Sequence, residues 1–145
     1  MTSLLRMKPT EIIVHHSLTE DGETVSWSAI RRYHTIEKGW LDVGYHIGIE
    51  LVGKDYEVFM GRPWDEAGAH CVGHNMKSLG LCFVGNFDLK PPPHEQLILG
   101  AKVISLWMRL FGISVDHVYP HSRFADKSCP GRRFSMEKLK GMLSA

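Results

Sequence analysis

Short apolar runs rich in β-branched residues alternate along this chain with longer amphipathic runs. Residues 11–15 contain Ile-Ile-Val and predict a short buried strand, and residues 79–84 predict a second one. Residues 44–51 and 56–60 are two further β-rich runs, separated by a Gly-containing turn, and predict a hairpin. Residues 115–118 predict a short edge strand. Because these strands interleave with helices, the pattern favours a mixed sheet flanked by helices over a bundle or a sandwich.

The helical runs have recognisable ends. Residues 27–38 follow Ser26, a plausible N-cap, and stop before Gly39. Ser135 caps a last helix that extends to about residue 143. Residues 61–77 are rich in Gly, His and Asn and predict a long surface loop. The strongest helix covers His94–Phe111 and ends at Gly112, with an apolar stripe formed by Leu97, Ala101, Ile104, Leu106, Met108 and Phe111.

Length and composition limit the class of protein. The 145 residues, 43% of them hydrophobic, suit one globular domain (1–145, with its core at about 11–143). A net charge of +1 argues against a broad basic face for nucleic acid, so we expect no nucleic-acid partner. No run approaches the ~20 apolar residues of a membrane helix, so we expect no membrane insertion. The N-terminus lacks a signal-peptide pattern, which predicts a protein that stays in the cytoplasm until something releases it.

Histidines and cysteines raise the prospect of a metal or acid/base site. The chain has nine histidines and three cysteines, Cys71, Cys82 and Cys129. An odd, sparse set of cysteines does not describe a disulfide framework. Pairing of Cys71 with Cys82 in an oxidising compartment stays open, beside the commoner interpretation of two small buried residues. His15 ends the first predicted strand, where functional side chains often lie, although a histidine at a strand end more often packs or faces solvent.

A His–Cys pair in one loop gives a stronger signal. His121 and Cys129 lie eight positions apart, and Pro130-Gly131 follows. Such a loop can fold back so that an imidazole and a thiolate face one metal ion. Zinc accepts both ligand types, and three protein ligands with one water make a catalytic site. Zinc-finger spacings and the HExxH signature are absent, so the spacing alone does not decide the matter.

Several motifs, in order, resemble one family. The run His121-x7-Cys129-Pro130-Gly131, with Val14-His15-x-Ser17 upstream, looks like the zinc-dependent N-acetylmuramoyl-L-alanine amidases of the short phage lysozyme and peptidoglycan recognition protein type. The resemblance covers residues 12–130. It is nearly letter for letter with the phage members at Gly39-Trp40-Leu41-Asp42-Val43-Gly44-Tyr45-His46. Further matches are Gly61-Arg62, Gly68-Ala69-His70, Asn75 and Ser78-x-Gly80-x-Cys82-x-Val84-Gly85.

The resemblance implies roles for particular residues. It implies one zinc ion (Zn2+) per chain, bound by His15, His121 and Cys129. Tyr45 would lie beside the metal and orient or deprotonate the attacking water, and Lys127 would face the carbonyl oxygen. The implied fold is a central mixed β-sheet with helices on both sides and the zinc in a surface cleft.

The same resemblance implies a substrate and a biological setting. The target would be the amide between N-acetylmuramic acid and L-alanine in bacterial peptidoglycan. His70 and Asn75 would line the groove for glycan and stem peptide, and Trp64, in the same loop, could contact a sugar. We expect a monomeric phage or prophage endolysin, which reaches the wall from the host cytoplasm through a permeabilised membrane.

Three alternatives differ in class. A non-catalytic peptidoglycan-binding relative would lack part of the metal set, whereas Cys129, Tyr45 and Lys127 are all present here. A phage protein that regulates RNA polymerase would need a partner surface, and residues 1–10 are short and not distinctive. A zinc peptidase on stem peptides is disfavoured by the order of the ligands along the chain.

Overall fold

A mixed β-sheet forms the centre of the molecule. The computed structural model describes residues 6–18 and 27–143. Its strands are β1 (Glu11–His16), β2 (Ile47–Val52), β3 (Asp55–Met60), β4 (Ser78–Phe83) and β5 (Val118–Pro120), in the spatial order β3-β2-β4-β1-β5. The pairs β1–β4, β1–β5 and β2–β4 are parallel, and β3 pairs antiparallel with β2 at one edge. The predicted hairpin and mixed sheet are therefore confirmed.

Helices cover both faces of this sheet. The α-helices are α1 (Trp27–Arg32), α2 (His94–Phe111) and α3 (Met136–Gly141). On one face, alternate β4 residues such as Leu81 and Phe83 share a core with α2 residues that include Trp107. On the other face, Cys82 and Val84 pack with Trp27 of α1. Within the described residues, no helix is both long and apolar enough to cross a membrane.

Most helix boundaries agree with the sequence pattern. Helix α2 has the predicted bounds, and Gly112 ends it with φ of 67°, a conformation that glycine adopts at little cost. Ser135 caps α3 as predicted, because its side chain accepts a hydrogen bond from the Lys138 N–H. The helix stops at Gly141, earlier than predicted. Leu106 does not belong to the buried stripe, since its side chain is 49% exposed.

Two predicted elements differ in detail. The helix expected at 27–38 is α-helical only through Arg32 and continues as a π-helical turn, Tyr33–Glu37. Its proposed cap, Ser26, lies outside the described residues. The predicted edge strand at 115–118 is instead a 3-10 turn, Val115–His117, followed by β5, although its edge position is confirmed. Propensity alone does not separate such short extended and turn segments.

The connection from β3 to β4 is only partly a surface loop. Arg62, within it, is buried, and its guanidinium donates to the backbone oxygens of Val43 at 2.9 Å, Ala67 at 2.8 Å and Asp42 at 3.4 Å. The bonds to Val43 and Asp42 join the start of the loop to the segment before β2, and the bond to Ala67 braces the loop internally. The guanidinium N–H groups therefore provide hydrogen-bond donors for carbonyl groups that the loop would otherwise leave without them.

Replacing Arg62 by methionine is expected to lower the free energy of unfolding by about 3 kcal/mol, because it strands buried carbonyl groups. Urea denaturation followed by circular dichroism measures this change. The control is Arg6→Ala, since Arg6 is 82% exposed in its pair with Asp65 and its removal should cost less than about 0.5 kcal/mol. Equal stability of the two variants would contradict the structural role of Arg62.

Candidate metal centre

The register of two parallel strands brings two histidines together. Ile13 of β1 lies opposite Tyr119 of β5, and Val14 lies opposite Pro120. The next residue after each of these is a histidine: His15 on β1, and His121, which begins a 3-10 turn (His121–Arg123) directly after β5. Because side chains alternate along a strand and Val14 packs in the core with α2, His15 projects to the other side of the sheet, where the His121 imidazole meets it. Their ring centroids are 4.5 Å apart.

Cys129 reaches the same point from the loop after β5. The Ser122 N–H donates to the Cys129 carbonyl at 2.8 Å and closes the loop. The Cys129 Sγ lies 3.8 Å from His15 Nδ1 and accepts a hydrogen bond from the His16 backbone N–H at 3.3 Å. The thiol is therefore aimed at the end of β1, beside the His15 ring.

An acidic residue from the β4–α2 connection anchors the segment around Cys129. The Asp88 carboxylate accepts hydrogen bonds from Ser128 Oγ at 2.9 Å and from the Arg132 N–H at 2.8 Å. The Arg132 N–H, followed by the Ser128 hydroxyl, lowers the pKa of Asp88. Residues on both sides of the thiol are thus held to one fixed point.

The geometry of the three residues fits a metal ion. One ligand atom from each of His15, His121 and Cys129 lies within 4.8 Å of the others, the one such group among the described residues. Tetrahedral zinc, with Zn–S of about 2.3 Å and Zn–N of about 2.1 Å, separates sulfur and nitrogen by about 3.6 Å. The measured 3.8 Å between Cys129 Sγ and His15 Nδ1 is close to this value.

The protonation of these groups also suits a cation. Burial lowers the pKa of His15 well below its usual value and that of His121 to about 4, so both imidazoles are neutral and keep a lone pair. Burial raises the pKa of the Cys129 thiol to about 12. A metal ion would displace that proton, because the thiolate is the form that binds metals.

Tyr45 lies two positions before β2 and beside the cluster. Its ring centroid is 5.1 Å from that of His15, and its hydroxyl hydrogen-bonds to the Cys82 thiol. Burial raises the pKa of Tyr45 well above its usual value. His34 of the π-helical turn supports this segment, since its Nδ1 accepts the Gly44 N–H at 3.0 Å.

Lys127 supplies a positive charge near the cluster. Its side chain is exposed, and it lies two positions before Cys129 in the loop. After burial, the charge of Lys127 is the next cause of the low pKa of His121. The cation is therefore close enough to act on the site while it remains accessible to a bound molecule.

The residues predicted to contact substrate lie in different places. His70 is buried beside His15, with its Nδ1 2.8 Å from His15 Nε2. Asn75 Oδ1 accepts the N–H groups of His70 and Cys71 at 2.8 and 2.9 Å. Trp64 packs edge-on against Trp107 of α2 and is not part of the cluster. Contact of these three residues with substrate stays a prediction.

The supporting residues around the cluster were not singled out from the sequence. Asp88 and His34 contact the site segments only in the folded chain, and no local spacing indicates either contact. Cys82 was interpreted as a small buried residue, with disulfide pairing left open, and it is free and buried like the other two cysteines. The matched motif Ser78-x-Gly80-x-Cys82 was the one signal that could have placed Cys82 near the site.

Comparison with known proteins agrees with these observations. A family model described as N-acetylmuramoyl-L-alanine amidase matches residues 5–132. The chain is 36% identical over 129 residues to an endolysin of Klebsiella phage KP32, which covers 86% of this chain and 82% of the relative.

Solved structures share the fold. The N-acetylmuramoyl-L-alanine amidase LysC from Clostridium intestinale superposes with a TM-score of 0.82 at 25% identity, covering 93% of this chain and 85% of that one. A mutant of the peptidoglycan-recognition protein LB of Drosophila, solved in complex with tracheal cytotoxin, superposes with a TM-score of 0.75 at 25% identity. That match covers 90% of this chain and 80% of the other.

Proposed function

The chain belongs to the N-acetylmuramoyl-L-alanine amidase family, and from that premise we propose that it cuts bacterial peptidoglycan with one zinc ion held by His15, His121 and Cys129. The activity is hydrolysis of the amide between N-acetylmuramic acid and L-alanine. The observation that carries the metal assignment is the meeting of two imidazoles and one thiol within 4.8 Å. Two neutral imidazoles and one thiolate leave a net positive charge on a bound Zn2+.

The target amide is a difficult substrate, because its carbonyl is a poor electrophile and water is a poor nucleophile. When bound, zinc supplies a Lewis acid that polarises a carbonyl and makes water a nucleophile at neutral pH. The chain's own contribution is to hold the ligands in place. The bond from the His16 N–H and the anchor at Asp88 fix the Cys129 segment before any metal arrives.

Two residues beside the cluster would act on the reacting groups. Lys127, an exposed cation at the cluster, would stabilise the negative charge that develops on the carbonyl oxygen during attack. Tyr45 would orient the attacking water through its hydroxyl, since its ring lies 5.1 Å from His15. Tyrosine is a weak base by its reference pKa of about 10, so orientation is the more favoured of its two proposed roles.

The relatives support the substrate and the setting. An endolysin is similar over most of both chains, and a mutant of a peptidoglycan-recognition protein was solved with tracheal cytotoxin. We therefore infer that the partner of this chain is peptidoglycan. We further propose that it works as a monomer and as a phage or prophage endolysin that reaches the wall through a permeabilised membrane.

Digestion of purified peptidoglycan is expected to release glycan strands from intact stem peptides that begin with a free L-alanine amine. Mass spectrometry of the products, with and without a chelator, measures this. Chelation should stop the release and added zinc should restore it. New reducing sugar ends would mean glycosidase action and refute the amidase assignment, and binding to the wall without any product would favour the non-catalytic alternative.

A further inference from the structure

A buried chain of side chains extends from the metal cluster into the sheet. His15 Nε2 lies 2.8 Å from His70 Nδ1, and His70 Nε2 lies 3.3 Å from the Ser78 hydroxyl and 3.4 Å from the Ser78 carbonyl. The Ser78 hydroxyl in turn donates to the His74 carbonyl at 2.7 Å. The hydrogen bond made at the Ser78 end of this chain determines which ring nitrogen of each histidine carries the proton.

The far end determines the state of His70. The Ser78 hydroxyl has one proton, which it donates in the hydrogen bond to the His74 carbonyl, so it can only accept a hydrogen bond from His70. The Ser78 carbonyl can only accept as well. Nε2 of His70 therefore carries the proton. The ring is buried, which disfavours a charged imidazolium, and a neutral ring with its proton on Nε2 bears a lone pair on Nδ1.

The near end then determines the state of His15. Because His70 Nδ1 is an acceptor, the hydrogen bond of 2.8 Å requires a proton on His15 Nε2. A neutral His15 with that proton has its lone pair at Nδ1. This is the nitrogen that lies 3.8 Å from the Cys129 Sγ, on the metal side of the ring.

Resting on the metal site of the proposed function, we propose that His70 is a positioning residue, which fixes His15 in the tautomer and ring orientation that present Nδ1 to zinc. His70 does not touch the metal or the substrate in this role. A bonding partner on the other ring nitrogen of a metal-binding histidine is worth about 10–100-fold in metal affinity.

The fold builds a slot for the His70 ring. A Cβ on Gly68 would lie 2.4 Å from His70 Cδ2, and a Cβ on Gly80 would lie 2.8 Å from both Cγ and Cδ2. Neither glycine has a positive φ, so contact with the ring, and not backbone conformation, excludes a side chain at both positions. The His70 backbone N–H donates to the Asn75 Oδ1, which holds the His70 backbone in place. This packing is what a ring of fixed orientation requires.

Two variants test the proposal through zinc affinity, measured by competition with a chromophoric chelator. His70→Phe fills the slot without an acceptor and is expected to bind zinc about 10–100-fold more weakly. His70→Asn keeps an acceptor near the Nδ1 position and should recover most of the affinity. His70→Phe that folds and binds zinc as tightly as the original protein would overturn the proposal.

A glycine pair provides a test that leaves His70 in the chain. Gly80→Ala should displace the His70 ring and weaken zinc binding as His70→Phe does. Gly141→Ala is the matched control, because a Cβ there meets no atom within 4 Å. Unchanged zinc affinity in folded Gly80→Ala protein would contradict the proposal.

The unmodified protein gives a readout that does not depend on variants folding. Nitrogen-15 NMR of the histidine rings, on protein as purified and after chelation, is expected to show the His15 proton on Nε2 in both samples. A proton on His15 Nδ1 in the chelated sample would overturn the proposal while the amidase assignment stands. Purified protein that takes up no zinc would instead refute the metal site, and the spectrum would still report the tautomer.

Discussion

Replacing Cys129 by serine is expected to empty the metal site and to lower amidase activity by about a thousand-fold or more. A loss of roughly 4 kcal/mol of Lewis-acid stabilisation corresponds to that factor, at 1.36 kcal/mol per tenfold change in rate. Serine is nearly the same size as cysteine, but its hydroxyl does not ionise to give the soft anionic ligand that zinc binds. The two histidines alone then compete poorly with water for the metal.

Metal analysis and product release measure the two parts of this prediction separately. The matched control is Cys71→Ala, which removes another buried cysteine that is not part of the three-residue cluster. It should retain zinc and activity. Metal-free Cys129→Ser protein that lysed walls at the original rate would refute the zinc mechanism.

The sequence was most informative where local pattern and tertiary structure agree. Helix α2 has the bounds predicted from its apolar spacing and from Gly112, because a long amphipathic run has only one way to bury its stripe against a sheet. The run before Gly39 was less informative. There the Lys38 N–H donates to the Tyr33 carbonyl at 3.1 Å in a π-helical turn, and the buried His34 bonds to Gly44, a contact that no local pattern encodes.

The metal cluster shows what spacing and resemblance each provide. His121 and Cys129 share a loop, so their proximity follows from a short stretch of sequence. His15 joins them only because β1 and β5 are parallel neighbours, with Ile13 opposite Tyr119. Strand order and register are tertiary properties, and the resemblance, not the spacing, supplied that ligand.

The roles of residues that contact the metal ligands were harder still to predict from the sequence. His70 is 55 positions from His15, and the sequence motif containing it suggested a groove residue. The structure adds that the imidazole lies in a slot between Gly68 and Gly80, with its Nδ1 2.8 Å from His15 Nε2. A motif records that certain residues occur together, but it does not say which side chain faces the substrate and which faces another side chain.

Replacing Lys127 by alanine is expected to lower kcat by about 100- to 1,000-fold and to leave zinc bound. Losing one fixed donor to a developing oxyanion typically raises the barrier by about 2.7–4 kcal/mol. Zinc should remain because Lys127 is exposed and supplies no ligand atom to the cluster. Lys127 also places a positive charge near His121, where it lowers the pKa of that imidazole and would repel a metal ion. Removing this charge should therefore not weaken zinc binding.

Two further variants distinguish a specific role of the Lys127 side chain from a general effect of positive charge near the site. Arg123→Ala removes another exposed cation from the same loop and should change kcat little. Lys127→Arg keeps the charge but moves it, so part of the lost rate should return. Turnover of a soluble muropeptide, with zinc content measured on the same samples, tests all three variants. A cation that stabilises the transition state must act on rate and not on metal retention. Loss of zinc from Lys127→Ala would therefore show a structural role for Lys127, and an unchanged kcat would remove the residue from the mechanism.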